Sequence, residues 1–142
     1  MITFEQVGKI NAPIETVFTY ISDISKIPDW RTDVPRVSDL SGPAAVGSTF
    51  FEEVNFMGKK QLLMKVIEFV PNRKLVIEAQ SGMALLPTQS FTFVSKDGGT
   101  EVRLRVTMRT SGLFRLMEPM LAGQLKKTWA KYFENVEQNL SR

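Results

Sequence analysis

Two adjacent acids, Glu52 and Glu53, are the residues of this chain whose type and position best suit acid–base chemistry. With Asn55 they lie in a stretch of β-strand character, where successive side chains point to opposite faces, so one of the two carboxyl groups should face inward. A carboxyl group inside an apolar cavity has a raised pKa and can act as a general acid or base. The competing interpretation is that both are solvated, as most glutamates in strands are.

The chain of 142 residues contains no histidine and no cysteine, and its formal charge is +3. Imidazole bases, thiolate nucleophiles, disulfides and the usual zinc or iron ligand sets are therefore excluded. Asp23, Asp29, Asp33 and Asp39 lack the spacing of a calcium loop. We predict no metal site and no cofactor. No dense Lys/Arg cluster with interleaved aromatic residues is present, so we also predict no nucleic-acid partner.

Segment lengths and composition predict how the chain is organised. No stretch reaches the roughly 18 uninterrupted apolar residues of a membrane span, and residues 1–10 lack a basic region followed by an apolar run. The length suits a single domain over residues 1–142. We therefore expect one cytoplasmic domain with no stable membrane insertion.

The middle of the chain consists of short segments of strand-like composition separated by turn residues such as Gly, Pro, Asn and Asp, a pattern that predicts strands. We predict that residues 2–10 form the first strand and that a short helix begins at Pro13. A second helical turn is predicted over 24–30, interrupted by Pro28. Six further strands are predicted over 34–40, 48–56, 60–70, 74–80, 88–95 and 101–110. Most separators are too short for crossover helices, so neighbouring strands should pair antiparallel. This order predicts an α+β fold with about seven strands.

The spacing of apolar residues over 112–140 predicts one long helix whose two halves turn apolar side chains to different sides. In the second half an ordinary core-facing stripe about 120° wide holds Leu121, Leu125, Trp129, Tyr132, Phe133, Val136 and Leu140. Nearly opposite that stripe lie Leu113, Leu116, Met117 and Met120. Pro119 stands between the halves and should kink the helix. A curved sheet cannot touch one straight helix everywhere, so we expect a pocket beside the first half.

Several apolar residues are candidates for the wall of that pocket. Strand alternation turns inward the side chains of Met64, Ile77, Phe91, Phe93, Leu104 and Val106, although plain core packing predicts the same pattern. Leu113, Leu116, Met117 and Met120 suit adaptable contact with a ligand or partner, or else a dimer contact. The loop over 81–87 carries Met83, Leu85 and Leu86 and is a candidate lid.

The segment NAPIETVFTYISDISKIPDW, a later Gly-Gly-Thr-Glu-Val-Arg-Leu motif and the Ser-Gly-Leu before the last helix resemble the helix-grip superfamily (SRPBCC, or START-like proteins). The chain is most similar to its polyketide cyclase/dehydrase-type bacterial branch. The resemblance covers nearly the whole chain. It implies a curved antiparallel sheet wrapped on a long C-terminal helix, two short helices after the first strand, and an internal hydrophobic cavity. It also implies that Trp30 lies near the mouth of the cavity.

Three functions remain open at this point. The first is binding or transport of a small-to-medium hydrophobic ligand, such as a lipid, a quinone or a polyketide-like molecule. The second is a cyclase or dehydratase in which cavity shape and one inward glutamate do the chemistry. The third is a protein interaction module that uses the patch from Leu113 to Met120, as a monomer or a homodimer. Because the chain lacks histidine and cysteine, two common catalytic residue types, we favour binding over catalysis.

Overall fold

The described part of the chain forms seven strands and three α-helices. A computed structural model describes residues 1–110 and 112–141, without the side chain of Leu113. Along the chain the order is β1 (Ile2–Ile10), α1 (Ile14–Ser22), a 3₁₀ turn (Ile24–Lys26), α2 (Ile27–Trp30), β2 (Arg36–Ser38), β3 (Thr49–Asn55), β4 (Lys59–Val70), β5 (Lys74–Ser81), β6 (Leu86–Lys96), β7 (Gly99–Arg109), a 3₁₀ turn (Gly112–Arg115) and α3 (Glu118–Leu140).

All seven strands belong to one antiparallel sheet with the order β1-β7-β6-β5-β4-β3-β2. Strands β2 to β7 pair with their successive neighbours along the chain, and β1 pairs with β7. Strand β7 alternates as predicted, with Val102 and Leu104 buried and Arg103 and Arg105 exposed. The pairing of β4 with β5 has two register irregularities, and such bulges bend a strand and increase its twist. The sheet can therefore wrap around a helix.

Helix α3 packs against the sheet on one side and against the two short helices on the other. At β1 the carboxamide of Gln6 donates a hydrogen bond to the Lys126 carbonyl oxygen, at 3.0 Å. On its other side, Asn135 donates from Nδ2 to the Trp30 carbonyl oxygen at 3.1 Å, and Asn139 donates to the Asp29 carbonyl oxygen at 3.1 Å. These bonds fix the end of α2 against the C-terminal turns of α3.

The predicted α+β, helix-grip architecture is confirmed, although several segments begin or end at other residues than predicted. The second strand covers only Arg36–Ser38, because Val34 is buried in the connection before it and its N–H bonds to the Arg31 carbonyl oxygen. Strand β6 begins at Leu86, so Leu86 and Pro87 belong to the sheet rather than to the preceding loop. Helix α2 contains Pro28 in its first turn, where a missing N–H costs no hydrogen bond.

The prediction of one kinked helix over 112–140 is wrong. Residues Gly112–Arg115 form a separate 3₁₀ turn, and α3 begins only at Glu118. Pro119 therefore occupies the first turn of α3, where it starts a helix instead of bending one. Among the helices in residues 1–110 and 112–141, none combines the length and apolar composition needed to span a bilayer.

Candidate functional site

Two neighbouring cavities lie between α3, the end of β3 and the segment that joins α2 to β2. The outer cleft has a volume of about 450 Å³, and the inner chamber, of about 40 Å³, lies deeper against the sheet. Four residues line both cavities: Asp33, Phe56, Leu125 and Trp129. The outer cleft is also lined by Asn55, Met57, Met117, Met120, Leu121, Gln124, Thr128 and Tyr132. The remaining walls of the inner chamber are Arg31, Glu52, Val54, Leu62, Met83, Pro87, Gln89, Val106 and Met108.

The inner chamber contains a charge cluster formed by Arg31, Asp33 and Glu52. Arg31 donates from Nε and Nη2 to the two carboxylate oxygens of Asp33, at 3.3 and 2.9 Å. Its Nη1 lies 3.5 Å from Oε1 of Glu52, a longer ion pair. Only 5% of Arg31 and 1% of Glu52 are exposed, so both charges are held away from bulk water. Buried charges in proteins are normally paired, as these are.

Two aromatic rings hold the guanidinium of Arg31 in place. The Cζ atom of Arg31 stands 4.8 Å from the centre of the Trp129 ring and 5.9 Å from that of Tyr132. Such cation–π contacts strengthen when they are shielded from water. Trp129 also meets Trp30 edge-on, with the ring centroids 6.0 Å apart. The cluster is therefore anchored in the aromatic core of the protein.

The protonation equilibria of the cluster follow from burial and pairing. Burial raises the pKa of Glu52, Arg31 opposes that rise, and Asp33 adds to it. Burial alone would lower the pKa of Arg31, but the carboxyl groups of Asp33 and Glu52 outweigh burial and raise it. Burial and the nearby Asp33 also raise the pKa of the Tyr132 phenol. Arg31 is therefore permanently charged, while Glu52 holds its proton more firmly than a solvated glutamate does.

Replacing Glu52 by glutamine is expected to change how stability depends on pH. Because the folded-state pKa of Glu52 is raised, its contribution to stability is complete below the ordinary value of 4.5 and is lost as the pH rises through the folded-state pKa. The free energy of unfolding of the wild type, relative to E52Q, should therefore fall from pH 4.5 towards neutrality. Urea denaturation at a series of pH values in this range measures the difference.

Glu53→Gln is the matched control for that experiment. Glu53 is the next residue in β3, but it points to the other face, where Lys59 Nζ lies 3.7 Å from its Oε1. An equal pH dependence in E53Q and E52Q would contradict the assignment of the effect to burial of Glu52.

The residues predicted to line a pocket fall into two groups. Met64, Ile77, Phe91, Phe93 and Leu104 are buried in the core and line neither the outer cleft nor the inner chamber, whereas Val106 lines the inner chamber. Trp30 is buried behind Trp129 and lies away from both cavity walls, because α2 turns its side chain towards the core. Glu52 faces the inner chamber, and Glu53 does not.

The patch predicted from Leu113 to Met120 is divided by the start of α3. Met117 and Met120 line the outer cleft, whereas Leu116 lines neither cavity and is 83% exposed. The side chain of Leu113 lies outside the described residues. In the candidate lid, Met83 lines the inner chamber and Leu85 is buried.

Sequence reasoning missed Arg31, Asp33 and Gln89 as residues of this site. A signal was available for Arg31, because an inward glutamate needs a cationic partner and Arg31 follows the apolar Trp30 directly. Gln89 could have been found from strand alternation, since it shares the inward face of β6 with Phe91 and Phe93. Within residues 1–110 and 112–141, no group of three or more acidic side chains is arranged to hold a metal ion.

Comparison with known proteins assigns the chain to a family. Residues 1–140 match the family model described as polyketide cyclase / dehydrase and lipid transport, and the chain belongs to this family. No curated protein matches the chain in sequence.

Solved structures share the fold at low sequence identity. A START superfamily protein from Mycobacterium smegmatis is similar with a TM-score of 0.81 at 14% identity, over 98% of this chain and 97% of that one. Protein MLL2253 from Mesorhizobium loti is similar with a TM-score of 0.76 at 21% sequence identity, over 99% of this chain and 97% of that one. The Aha1 dimer from Colwellia psychrerythraea is similar with a TM-score of 0.67 at 19% sequence identity, over 96% of this chain and 94% of that one. Such likeness defines the fold alone.

Proposed function

We propose that this protein binds and carries a small-to-medium hydrophobic ligand, with the ligand body in the outer cleft. The observation that carries the proposal is the cleft itself. It has about 450 Å³ of space and an apolar wall, and it shares lining residues with the inner chamber. Ligand sites in proteins typically have about 300–1,000 Å³ and a mostly apolar wall with a few polar groups. The cleft and the charge cluster have this composition.

The rim of the outer cleft supports entry of an apolar molecule. Met57 is 68% exposed and Met120 is 62% exposed, and the two side chains stand on different elements of the cleft wall. Methionine side chains are flexible and polarisable, so they adapt to ligands of different shape. The family description, which includes lipid transport, agrees with this use of the cleft. On this proposal the whole chain acts as one ligand-binding domain.

Filling the outer cleft should abolish binding of a neutral apolar probe. Thr128 lines the cleft from α3, and a tryptophan at this position would occupy the space of the ligand body. We expect T128W to bind N-phenyl-1-naphthylamine at least about tenfold more weakly than the wild type, a loss of about 1.4 kcal/mol in binding free energy. Fluorescence titration of the probe measures the affinity.

The neighbouring residue provides the control. Lys127 is exposed on α3 and does not line the outer cleft or the inner chamber, so K127W adds the same side chain outside the site. The proposed function fails if the wild type does not bind the probe, or if T128W and K127W bind it as well as the wild type does.

The other two functions considered from the sequence stay predictions. Glu52 lines the inner chamber, where a catalytic acid of a cyclase or dehydratase would have to meet its substrate. Leu116 is largely exposed, as a residue of an interaction patch would be, and the relative from Colwellia psychrerythraea is described as a dimer. Binding ranks first because it needs only the cavity walls.

A further inference from the structure

We propose that the inner chamber selects ligands that carry a neutral hydroxyl group and holds this group against Glu52 and Gln89. The ligand class is then an apolar alcohol or phenol that enters the site with its hydroxyl end first. This inference rests on the proposed function, because it assigns the polar end of the same ligand.

The size of the inner chamber limits what it can hold. Its volume of about 40 Å³ is roughly a tenth of the volume of the outer cleft, about 450 Å³, and a few times the ~10–15 Å³ that a cavity needs to hold one water molecule. One small polar group fits there, whereas a ring or a branched head group does not. The ligand body must therefore remain in the outer cleft, and only one end of the ligand reaches the charge cluster.

Two buried polar groups face this small space and can make further hydrogen bonds. The contact with Arg31 uses Oε1 of Glu52, whereas Oε2 of Glu52 and the carboxamide of Gln89 make no side-chain hydrogen bond within residues 1–110 and 112–141. In that part of the chain the fully enclosed atoms without a partner are Trp30 Nε1 and Glu101 Oε2, so the groups of Glu52 and Gln89 still reach open space. Glu52 is 1% exposed and Gln89 is 4% exposed, and both line the inner chamber. Both groups therefore have a hydrogen-bonding position open to the chamber, and an occupant that bonds to both is favoured.

A hydroxyl group matches both sides of the chamber. It can donate its proton to an ionised Glu52 or accept a hydrogen bond from a protonated one, and it can accept a hydrogen bond from the amide of Gln89. An ether oxygen can only accept, so it has no hydrogen bond to offer an ionised Glu52. The hydroxyl group is the smallest neutral group that supplies a donor and an acceptor from one atom.

The charges of the cluster disfavour an anionic ligand. Two carboxyl groups face one guanidinium, and three N–H groups of Arg31 already point at Asp33 and Glu52. A ligand carboxylate would bring a third acidic group into the same buried space, where like charges repel strongly. The site should therefore discriminate an alcohol from the fatty acid of equal chain length.

Three probes of similar size test this inference. They are 1-decanol, decanoate, and 1-methoxynonane, an isomer of decanol that has an ether oxygen and no donor. Trp129 lines both cavities, so tryptophan fluorescence can follow each titration at about pH 7.5, where decanoate is ionised. We expect decanol to bind roughly tenfold more tightly than either of the other two probes.

The preference should depend on Glu52 and not on Glu53. In E52Q the affinities for decanol and decanoate should come within about twofold of each other, whereas E53Q should keep the preference of the wild type. The ratio of affinities is measured within each variant, so a change in folding stability does not affect it.

Equal affinities for decanol and either other probe in the wild type would overturn the inference, as would an equal loss of preference in E53Q and E52Q. Failure of all three probes to bind overturns it as well. The proposed function fails with it only if N-phenyl-1-naphthylamine also does not bind.

Discussion

Replacing Arg31 by methionine is expected to lower the free energy of unfolding by about 3–5 kcal/mol, the usual cost of removing one partner from a buried charge pair. Without the guanidinium, Glu52 and Asp33 face each other with no cation between them. The variant also loses the cation–π contact between Arg31 and Trp129 at 4.8 Å. Methionine approximates the length and volume of the lost side chain, so the remaining effect is mainly electrostatic. Guanidinium chloride denaturation at neutral pH measures it.

The same substitution on the outer face of the sheet is the control. Arg103 is exposed on β7, where its Nη2 lies 3.5 Å from Oε2 of Glu101. The Arg103 side chain is 59% exposed, and Glu101 keeps a second cation, Lys96, whose Nζ lies 3.4 Å from the same oxygen, so R103M should cost far less than R31M. Adding E52Q to R31M should restore part of the loss, because it removes one of the two opposed carboxyl groups. If R31M were no more destabilised than R103M, the charge cluster would have no structural role.

Replacing Gly8 by alanine is expected to destabilise the fold by about 1–3 kcal/mol, the usual cost of overpacking a closely packed interior. Gly8 lies on the buried face of β1, where α3 crosses the sheet. A β-carbon at this position would stand 2.5 Å from Cγ and 2.8 Å from Cβ of Phe133. Either the strand or the helix must then move. Thermal or chemical denaturation of the variant measures the loss.

Gly123→Ala is the matched control, and its effect should have the opposite sign. Gly123 lies inside α3, and no atom is within 4 Å of the place where its β-carbon would stand. Alanine is a better helix former than glycine, so G123A should raise the free energy of unfolding by up to about 1 kcal/mol. Destabilisation by G123A, or no effect of G8A, would contradict the packing described for α3.

Much of the fold could be predicted because burial leaves a periodic signature in the sequence. In β7 the alternation of Val102 and Leu104 with Arg103 and Arg105 identified the strand and its buried face. The start of α3 could not be found in this way, because Leu116 and Met117 continue an apolar pattern across the break. The better signal was Pro119 itself, since proline is favoured in the first turn of a helix.

The candidate site was less predictable, because alternation reports burial and does not distinguish a cavity wall from the packed core. Val106 and Leu104 alternate identically in β7, yet only Val106 lines the inner chamber. Arg31 stands in an irregular segment without periodicity, and its partner Glu52 is 21 residues away along the chain. The contact between Arg31 and Glu52 depends on how α2 packs against α3, which is a property of the tertiary structure.

The position of Arg31 next to Trp30 has a consequence for how this protein can evolve. Trp30 belongs to the aromatic core and Arg31 supplies the cation of the inner chamber, so under the proposal made above ligand preference and folding stability depend on adjacent residues. A change at position 31 alone leaves two opposed carboxyl groups and costs stability, and a compensating change at position 52 restores part of it. Divergence towards a different ligand chemistry should therefore proceed by paired replacement of Arg31 and Glu52, and the two positions should covary among relatives that keep this chamber.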